Sequence, residues 1–427
     1  MAGQRMTRRR FLGTTAAAAA TFTIVPRHVL GGPGQTPPSE VLTRAVIGTG
    51  GRGTGFVASN PEGGPPRTLA VCDVDRNHLE RALGKAGPGC EGYTDFRRVL
   101  ERRDIDVVYI GTPPHWHALV SIAAAEAGKD VYCEKPMTKF IAEGQAVADA
   151  MRRYGRVFQI GTFGRFGSAK LRKLLLGGVL GWPVTVRVSR STGYNWKVRE
   201  WSGRTNLMPE PVPGVLDYDL WLGPAPVKPY HPHRVHSSFR GYWDYDGGGL
   251  ADMGQHYLDG IQYALGKDDT SPVEAEAAAP WPAHPDACGM WGRVTMRYGD
   301  GTTLILGSGE WGESEAGEPP WIEGPKGRIY KGGRTEPEGL FEEADRFPDP
   351  EPMVGNGAGG FEQAVRLRQE CGGNADASNR GATLLHLANI AIRLGRPIRY
   401  DPARQTFPGD DEANRLAYVP MRAPWHL

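Results

Sequence analysis

A short apolar run, Leu42 to Ile47, leads directly into Gly48-Thr49-Gly50-Gly51-Arg52-Gly53, and this junction restricts the fold more than any other stretch of the chain. G-x-G-x-x-G between a strand and a helix is the turn that cradles a dinucleotide. Gly48 permits the tight turn, Gly50 lets the backbone approach a pyrophosphate with Gly51 and Arg52 beside it, and Gly53 lets helix and strand pack closely. The phosphates then meet the positive end of the helix. In a chain with 59 glycines the motif needs support from its surroundings. A second apolar run, Thr68 to Cys72, ends on Asp73, about 20 residues beyond Gly53, where a carboxylate accepts hydrogen bonds from ribose hydroxyls and repels a 2′-phosphate. NAD is therefore expected as the cofactor in preference to NADP. The neighbouring Asp75 reads as a turn residue.

The alternation continues with a strand over Asp106–Gly111, a helix over His117–Ala127 and a strand over Asp130–Cys133. Strands alternating with helices argue for parallel pairing in a doubly wound sheet. The loops that leave the carboxyl ends of those strands line the crevice where a cofactor lies. Two such loops carry Thr112, Pro113 and His117, and Glu134 and Lys135, all of them expected at the cofactor. Further along, Val184–Ser189, Arg293–Tyr298 and Thr302–Leu306 alternate apolar with polar residues, the mark of strands buried on one face. The fold class predicted is α/β: an N-terminal Rossmann domain over 39–160, then a C-terminal α/β domain over 161–427 with an open, largely antiparallel sheet. The Pro- and Glu-rich stretch from Gly317 to Pro352 has weak periodicity and reads as surface loop.

Fifty Lys and Arg balance 48 Asp and Glu, and the basic residues gather at the extreme N-terminus rather than in a stripe, so nucleic acid is not an expected partner. The five cysteines, Cys72, Cys90, Cys133, Cys288 and Cys371, are odd in number, far apart and form no C-x-x-C pair, a pattern that suggests neither a disulfide framework nor a thiolate zinc site. The start, Thr7-Arg8-Arg9-Arg10-Phe11-Leu12 with an Ala-rich run to Val25 and a Pro/Gly stretch to Pro38, resembles a twin-arginine export signal over residues 1–38. A membrane span is the competing reading, but the run is shorter than the ~20 apolar residues a span needs. No good Ala-x-Ala site follows, which leaves retention as an N-terminal anchor open. A periplasmic protein exported already folded would carry its nicotinamide cofactor with it.

Glu134-Lys135-Pro136, preceded by Ala-Gly-Lys-Asp-Val-Tyr-Cys and joined by Thr-Pro-Pro-x-x-His and Gly-Gly-Gly-Leu-Ala-Asp-Met-Gly-Gln-His, resembles the glucose-fructose oxidoreductase and inositol dehydrogenase family, Gfo/Idh/MocA, from Val46 to the C-terminus. The exported branch of that family resembles the chain most, through Leu-Ala-Asn-Ile-Ala-Ile-Arg-Leu-Gly-Arg and Asp-Asp-Glu-Ala-Asn-Arg near the C-terminus. The resemblance implies hydride transfer to or from a secondary alcohol carbon of a sugar, glycoside or polyol, with Lys135 beside the nicotinamide and Asp252 and His256 completing a metal-free site. It also implies a homo-oligomer built through the open sheet face.

The residues support that set independently. Asp252 and His256 stand at i and i+4 and share one side of a helix over Gly249–Leu265. His256 is the candidate base for the hydroxyl proton, Asp252 orients it or the substrate, and Lys135 stabilises the developing alkoxide. An Asp-x-x-x-His helix also suits zinc, with a third ligand from His231, His233 or His236. Arg234 and His236, in an aromatic-rich segment from Trp221 to Tyr245, are candidate substrate contacts, as are Arg165, Tyr194 and Trp196. Two further readings keep most of these residues: a redox-cycling enzyme that cleaves glycosides with a retained NAD, and a binding protein with a vestigial site.

Overall fold

The computed structural model describes residues 41–57, 68–162, 164–312, 317–355 and 357–427, and the twin-arginine segment lies outside them. Residues Thr43–Leu427 form one compact unit. Its first sheet has six parallel strands: β1 (Arg44–Ile47), β2 (Thr68–Cys72), β3 (Glu91–Tyr93), β4 (Val107–Ile110), β5 (Asp130–Cys133) and β6 (Phe158–Ile160). They lie in the order β3-β2-β1-β4-β5-β6, the doubly wound arrangement. The central strands are buried along their whole length, which is why they read as continuous apolar runs rather than as alternation. The order reverses between β1 and β4, so the loops after these two strands diverge and leave a crevice at their carboxyl ends.

Among the described residues a second sheet is built from eight strands: β7 (Thr185–Ser189), β8 (Glu274–Ala278), β9 (Arg293–Arg297) and β10 (Thr303–Gly307) at its centre, with β11 (Ile322–Gly324), β12 (Gly327–Ile329), β13 (Thr335–Glu336) and β14 (Ile398–Arg399) towards its edges. Their order is β13-β12-β11-β7-β10-β9-β8-β14. Only β7 and β10 pair in parallel; the other pairings are antiparallel. Val294, Met296, Leu304 and Leu306 turn inward, while Thr295 and Ile305 on the other face are only partly covered. The inward face packs on the helices Ala169–Leu176, Gly248–Ala264 and Ala375–Leu394. Each fully buried aliphatic side chain here contributes about 1.5–3 kcal/mol of transfer free energy. The helix Ala375–Leu394 serves both cores, with Ala375 and Ala382 on the first and Leu384, Leu385 and Ile390 in the second.

The stretch from Gly317 to Pro352 differs from its sequence reading. It holds β11 (Ile322–Gly324), β12 (Gly327–Ile329) and β13 (Thr335–Glu336) and a short helix, Leu340–Ala344. Strands of two or three residues are too short to carry a period; they extend the sheet because Ile322 and Glu323 pair with Val186 and Thr185 of β7, distant in sequence. Among the described residues no helix is long and apolar enough to cross a membrane. All five cysteines are free, and all but Cys90 are buried.

Candidate active site

The loop after β1 takes its shape from its glycines. Gly48 has φ of +81°, and a Cβ there would lie 2.5 Å from the Thr112 nitrogen, so a side chain would push apart the two loops that frame the crevice. A Cβ on Gly53 would meet the Gly48 carbonyl oxygen at 1.8 Å. At Gly51 a Cβ would meet nothing within 4 Å, which leaves that backbone open to the cavity it lines. Asp73 at the end of β2 accepts from the Thr49 N–H at 2.7 Å and from the Asp75 N–H at 2.9 Å, which fixes its carboxylate beside the glycine loop. The cavity holds about 730 Å³ and is lined by Gly48, Gly50, Gly51, Arg52, Asp73, Thr112, Pro113, Glu134 and Lys135 at one level and by Asp252 and His256 at another.

These residues fit a dinucleotide. Open backbone near a short helix, a fixed carboxylate at the ribose position, and a buried Thr112 hydroxyl with no protein partner are what such a ligand needs. Arg52 bonds Glu134 at 2.6 Å and so ties the glycine loop to the loop after β5. His117, expected at the cofactor, has a different place. It is buried, with its ring nitrogens 2.7 Å from the Pro136 carbonyl and 2.8 Å from that of Thr112, and so it joins the two cofactor loops from behind. Burial lowers its pKa to about 4 against the opposing pull of those carbonyls.

Lys135 leaves the end of β5 and reaches the helix Gly248–Ala264, where its ammonium donates to the Asp252 carbonyl at 2.6 Å and to Asp252 Oδ1 at 2.8 Å. Arg240 donates to the same Oδ1 at 2.8 Å. Burial alone would raise the Asp252 carboxyl, but Lys135 and then Arg240 outweigh it and hold the group at about 2. His256 follows one turn later; burial, then the Lys135 charge, lowers its ring to about 4, so it is a neutral acceptor at pH 7. Between them Gln255 accepts from the Met137 N–H at 2.8 Å and donates to the Ser378 carbonyl at 3.1 Å, which locks the lysine loop to this helix.

Several expected substrate contacts lie elsewhere. Arg165 is 1% exposed and paired with Asp259 at 2.7 Å and Asp268 at 2.8 Å, with both guanidinium arms committed. Trp196 is in the core, donating to the Val188 carbonyl and packed edge-on against Trp291 and Tyr257. Tyr194 packs on the same Tyr257, and Arg234 makes a two-pronged pair with Asp286. None of the four lines the cavity. Of the three histidines considered as a third zinc ligand, His231 meets Glu210 and His233 bonds the Tyr242 hydroxyl, so neither joins Asp252 and His256. His236 does line the cavity, but beside Asp75 and His78.

Among the cavity residues that sequence reasoning does not assign to the site are Arg240, Asp246 and His78. Arg240 lies in the aromatic-rich segment from Trp221 to Tyr245, on the short 3-10 helix His236–Gly241, where no periodicity distinguishes it from its neighbours. Asp246, buried beneath Asp252 and raised to about 7 by burial and then by that charge, is hidden in Asp-Gly-Gly-Gly, which looks like a turn. His78 was findable, because Asp75-x-x-His78 places both at the start of one helix.

Comparison with known proteins places this geometry in a family. Residues 42–162 match the "Oxidoreductase family, NAD-binding Rossmann fold" domain, and residues 166–427 match the "Oxidoreductase family, C-terminal alpha/beta domain". Inositol 2-dehydrogenase of Salmonella typhimurium is 34% identical over 121 residues, covering 28% of this chain and 36% of that protein. A glycosyl hydrolase family 109 protein of Shewanella pealeana is 28% identical over 171 residues, 35% of this chain and 38% of its own length. The chain thus spans little more than a third of the length of these curated relatives. In fold it is similar to the WlbA dehydrogenase of Bordetella pertussis, solved with NADH and UDP-GlcNAcA, at a TM-score of 0.57 and 17% identity over 84% of this chain and 99% of that one. An NAD-binding Rossmann domain followed by the partner α/β domain, matched in order along the sequence, shows that the chain belongs to the Gfo/Idh/MocA oxidoreductase family.

Proposed function

We propose that the chain moves a hydride between NAD and a secondary alcohol carbon of a sugar, glycoside or polyol, with Lys135, Asp252 and His256 as its catalytic set. One observation carries this reading: Lys135, Asp252 and His256 converge on the same cavity that the glycine loop and Asp73 line. NAD, when bound, supplies the ring that takes or gives the hydride. His256 accepts the substrate hydroxyl proton, a role open to it above a pH of about 4. Lys135 holds positive charge where the oxygen turns negative, and Asp252 fixes that ammonium from two oxygens. Arg240, on the far side of Asp252, helps keep the carboxylate ionised.

The test is to supply NAD with a panel of polyols, aldoses and glycosides and follow absorbance near ~340 nm, the signature of the reduced nicotinamide. A saturable rise with a member of the panel supports the reading, and a flat trace with NAD bound, every class present and no aglycone released from any glycoside overturns it. A second reading is favoured by the segment over 214–217, which lies across the loop after β2: Leu216 bridges Asp75, and Arg76 and Asp217 exchange backbone bonds with Val215 and Val74. That contact fixes the loop next to Asp73 and favours a firmly held nucleotide, which suits export of a folded holoprotein to the periplasm and a redox cycle that oxidises, eliminates a glycosidic substituent and reduces again. That cycle releases an aglycone with no net change near ~340 nm. Self-association through the open face of the eight-stranded sheet completes the proposal.

A further inference from the structure

We propose that Asp75, His78 and His236 bind one divalent transition metal, with zinc the best match, at a site separate from Lys135, Asp252 and His256. Each of the three offers one ligand atom, and these atoms all lie within 4.8 Å of one another. His236 Nε2 is 3.4 Å from Asp75 Oδ2. Two ligands at ~2.0–2.1 Å from a tetrahedral zinc stand about 3.3 Å apart, so this pair is already at coordination spacing.

The supports of the three side chains also suit a metal. Asp75 caps the helix Arg76–Ala86 with Oδ1, which takes the N–H groups of Asn77 and His78 and leaves Oδ2 for another partner. His78 turns Nδ1 towards Asp73 Oδ2 at 3.5 Å, and an outer carboxylate of this kind is what metal-bound histidines commonly use. Asp73 is itself fixed by the Thr49 N–H. His236 adopts φ of +53°, the left-handed region, which strains a non-glycine residue and is kept where the surroundings hold the side chain to a task. The rings of His78 and His236 lie 4.7 Å apart and tilted by 55°, and two carboxylates within reach offset a dication.

Two imidazoles and one carboxylate are borderline ligands that favour zinc over magnesium or calcium, and three protein ligands leave a fourth position for water or a ligand. His78 and Asp75 belong to the nucleotide-binding half and His236 to the 3-10 helix His236–Gly241 of the C-terminal half, so the ion would join the two at the Asp73 end of the cavity.

The experiment uses tag-free full-length protein stripped by a chelator and then titrated with Co²⁺ or Zn²⁺ alone. One ion per chain is expected, with the intense visible bands of four-coordinate Co²⁺, and His78→Ala and His236→Gly are each expected to weaken binding by at least about 100-fold. Glycine relieves the φ at 236, so that variant folds, as a melting curve checks. His256→Ala is expected to bind the metal as the parent does. Absence of saturable binding, retention of the ion in His78→Ala and His236→Gly, or its loss in His256→Ala would each overturn the proposal. NAD binding to the stripped protein, measured in the same preparations, reports on the oxidoreductase reading separately.

Discussion

Replacing Lys135 by methionine removes one charge from the proposed reaction centre while keeping the side chain's length. The structure predicts a folded product, because Asp252 retains Arg240 at 2.8 Å and its carboxylate stays paired. It also predicts a specific loss. A preorganised cation or donor facing a developing oxyanion is worth about 2.7–4 kcal/mol, or roughly 10²–10³ in kcat. Cofactor affinity should hold within about threefold, since Lys135 meets Asp252 rather than the glycine loop. A second readout follows from His256, which burial and then the Lys135 charge hold at about 4. Neutral His256 is the active form, so the rate is present above that pKa and falls as pH drops through it. Without Lys135 the ring's pKa rises, and the acid limb of the kcat profile moves to higher pH. The assay is steady-state NADH formation at saturating NAD from pH 4 to 9, beside equilibrium NAD binding. A variant with kcat within about tenfold of the parent, or an acid limb that stays in place, would show that Lys135 does not face the developing charge.

Asp73→Asn removes the charge proposed to face the ribose and should raise the Kd for NAD by about 10–100-fold while narrowing its preference over NADP, as titration with both nucleotides measures. Arg165→Met strands Asp259 in the core and should cost about 3–5 kcal/mol in urea unfolding, with KM for the alcohol unchanged in the protein that remains folded. Asp252→Asn should lower stability by about 2 kcal/mol at pH 7, because the carboxyl is held at about 2 when folded against the usual 3.8. A depressed carboxyl stabilises above its unfolded pKa and loses that contribution as pH falls through its folded one, so the gap between parent and variant should shrink from pH 5 towards pH 2.

The parts of the site legible in the sequence are those whose chemistry is set over a few residues. Gly48 and Gly53 act on each other within one turn, Asp73 follows from the position of β2, and Asp252 and His256 share a side of their helix through the helical repeat alone. The second sheet's core strands were legible because alternation records one buried face. Arg165, Trp196 and Arg234 were misplaced for the opposite reason. An arginine or tryptophan reads alike whether it faces a sugar or a buried partner, and their partners, Asp259, Asp268, Val188 and Asp286, are recognised only after folding. The strands β11 to β13 escape because β11 borrows its pairing from β7, and β12 and β13 are added to β11 in turn. His117 looked like a cofactor residue since it ends a cofactor loop, yet its ring turns back to hold that loop in place.

Hydride that passes directly between the substrate carbon and NAD carries its isotope with it. The protein is incubated with NAD and an active substrate deuterated at the carbinol carbon, then denatured, and the nucleotide is analysed by mass spectrometry and NMR. One deuterium is expected on the nicotinamide ring, either on free NADH or on protein-retained nucleotide trapped mid-cycle. Oxidised or cleaved product beside a nicotinamide that carries no deuterium would rule out direct transfer.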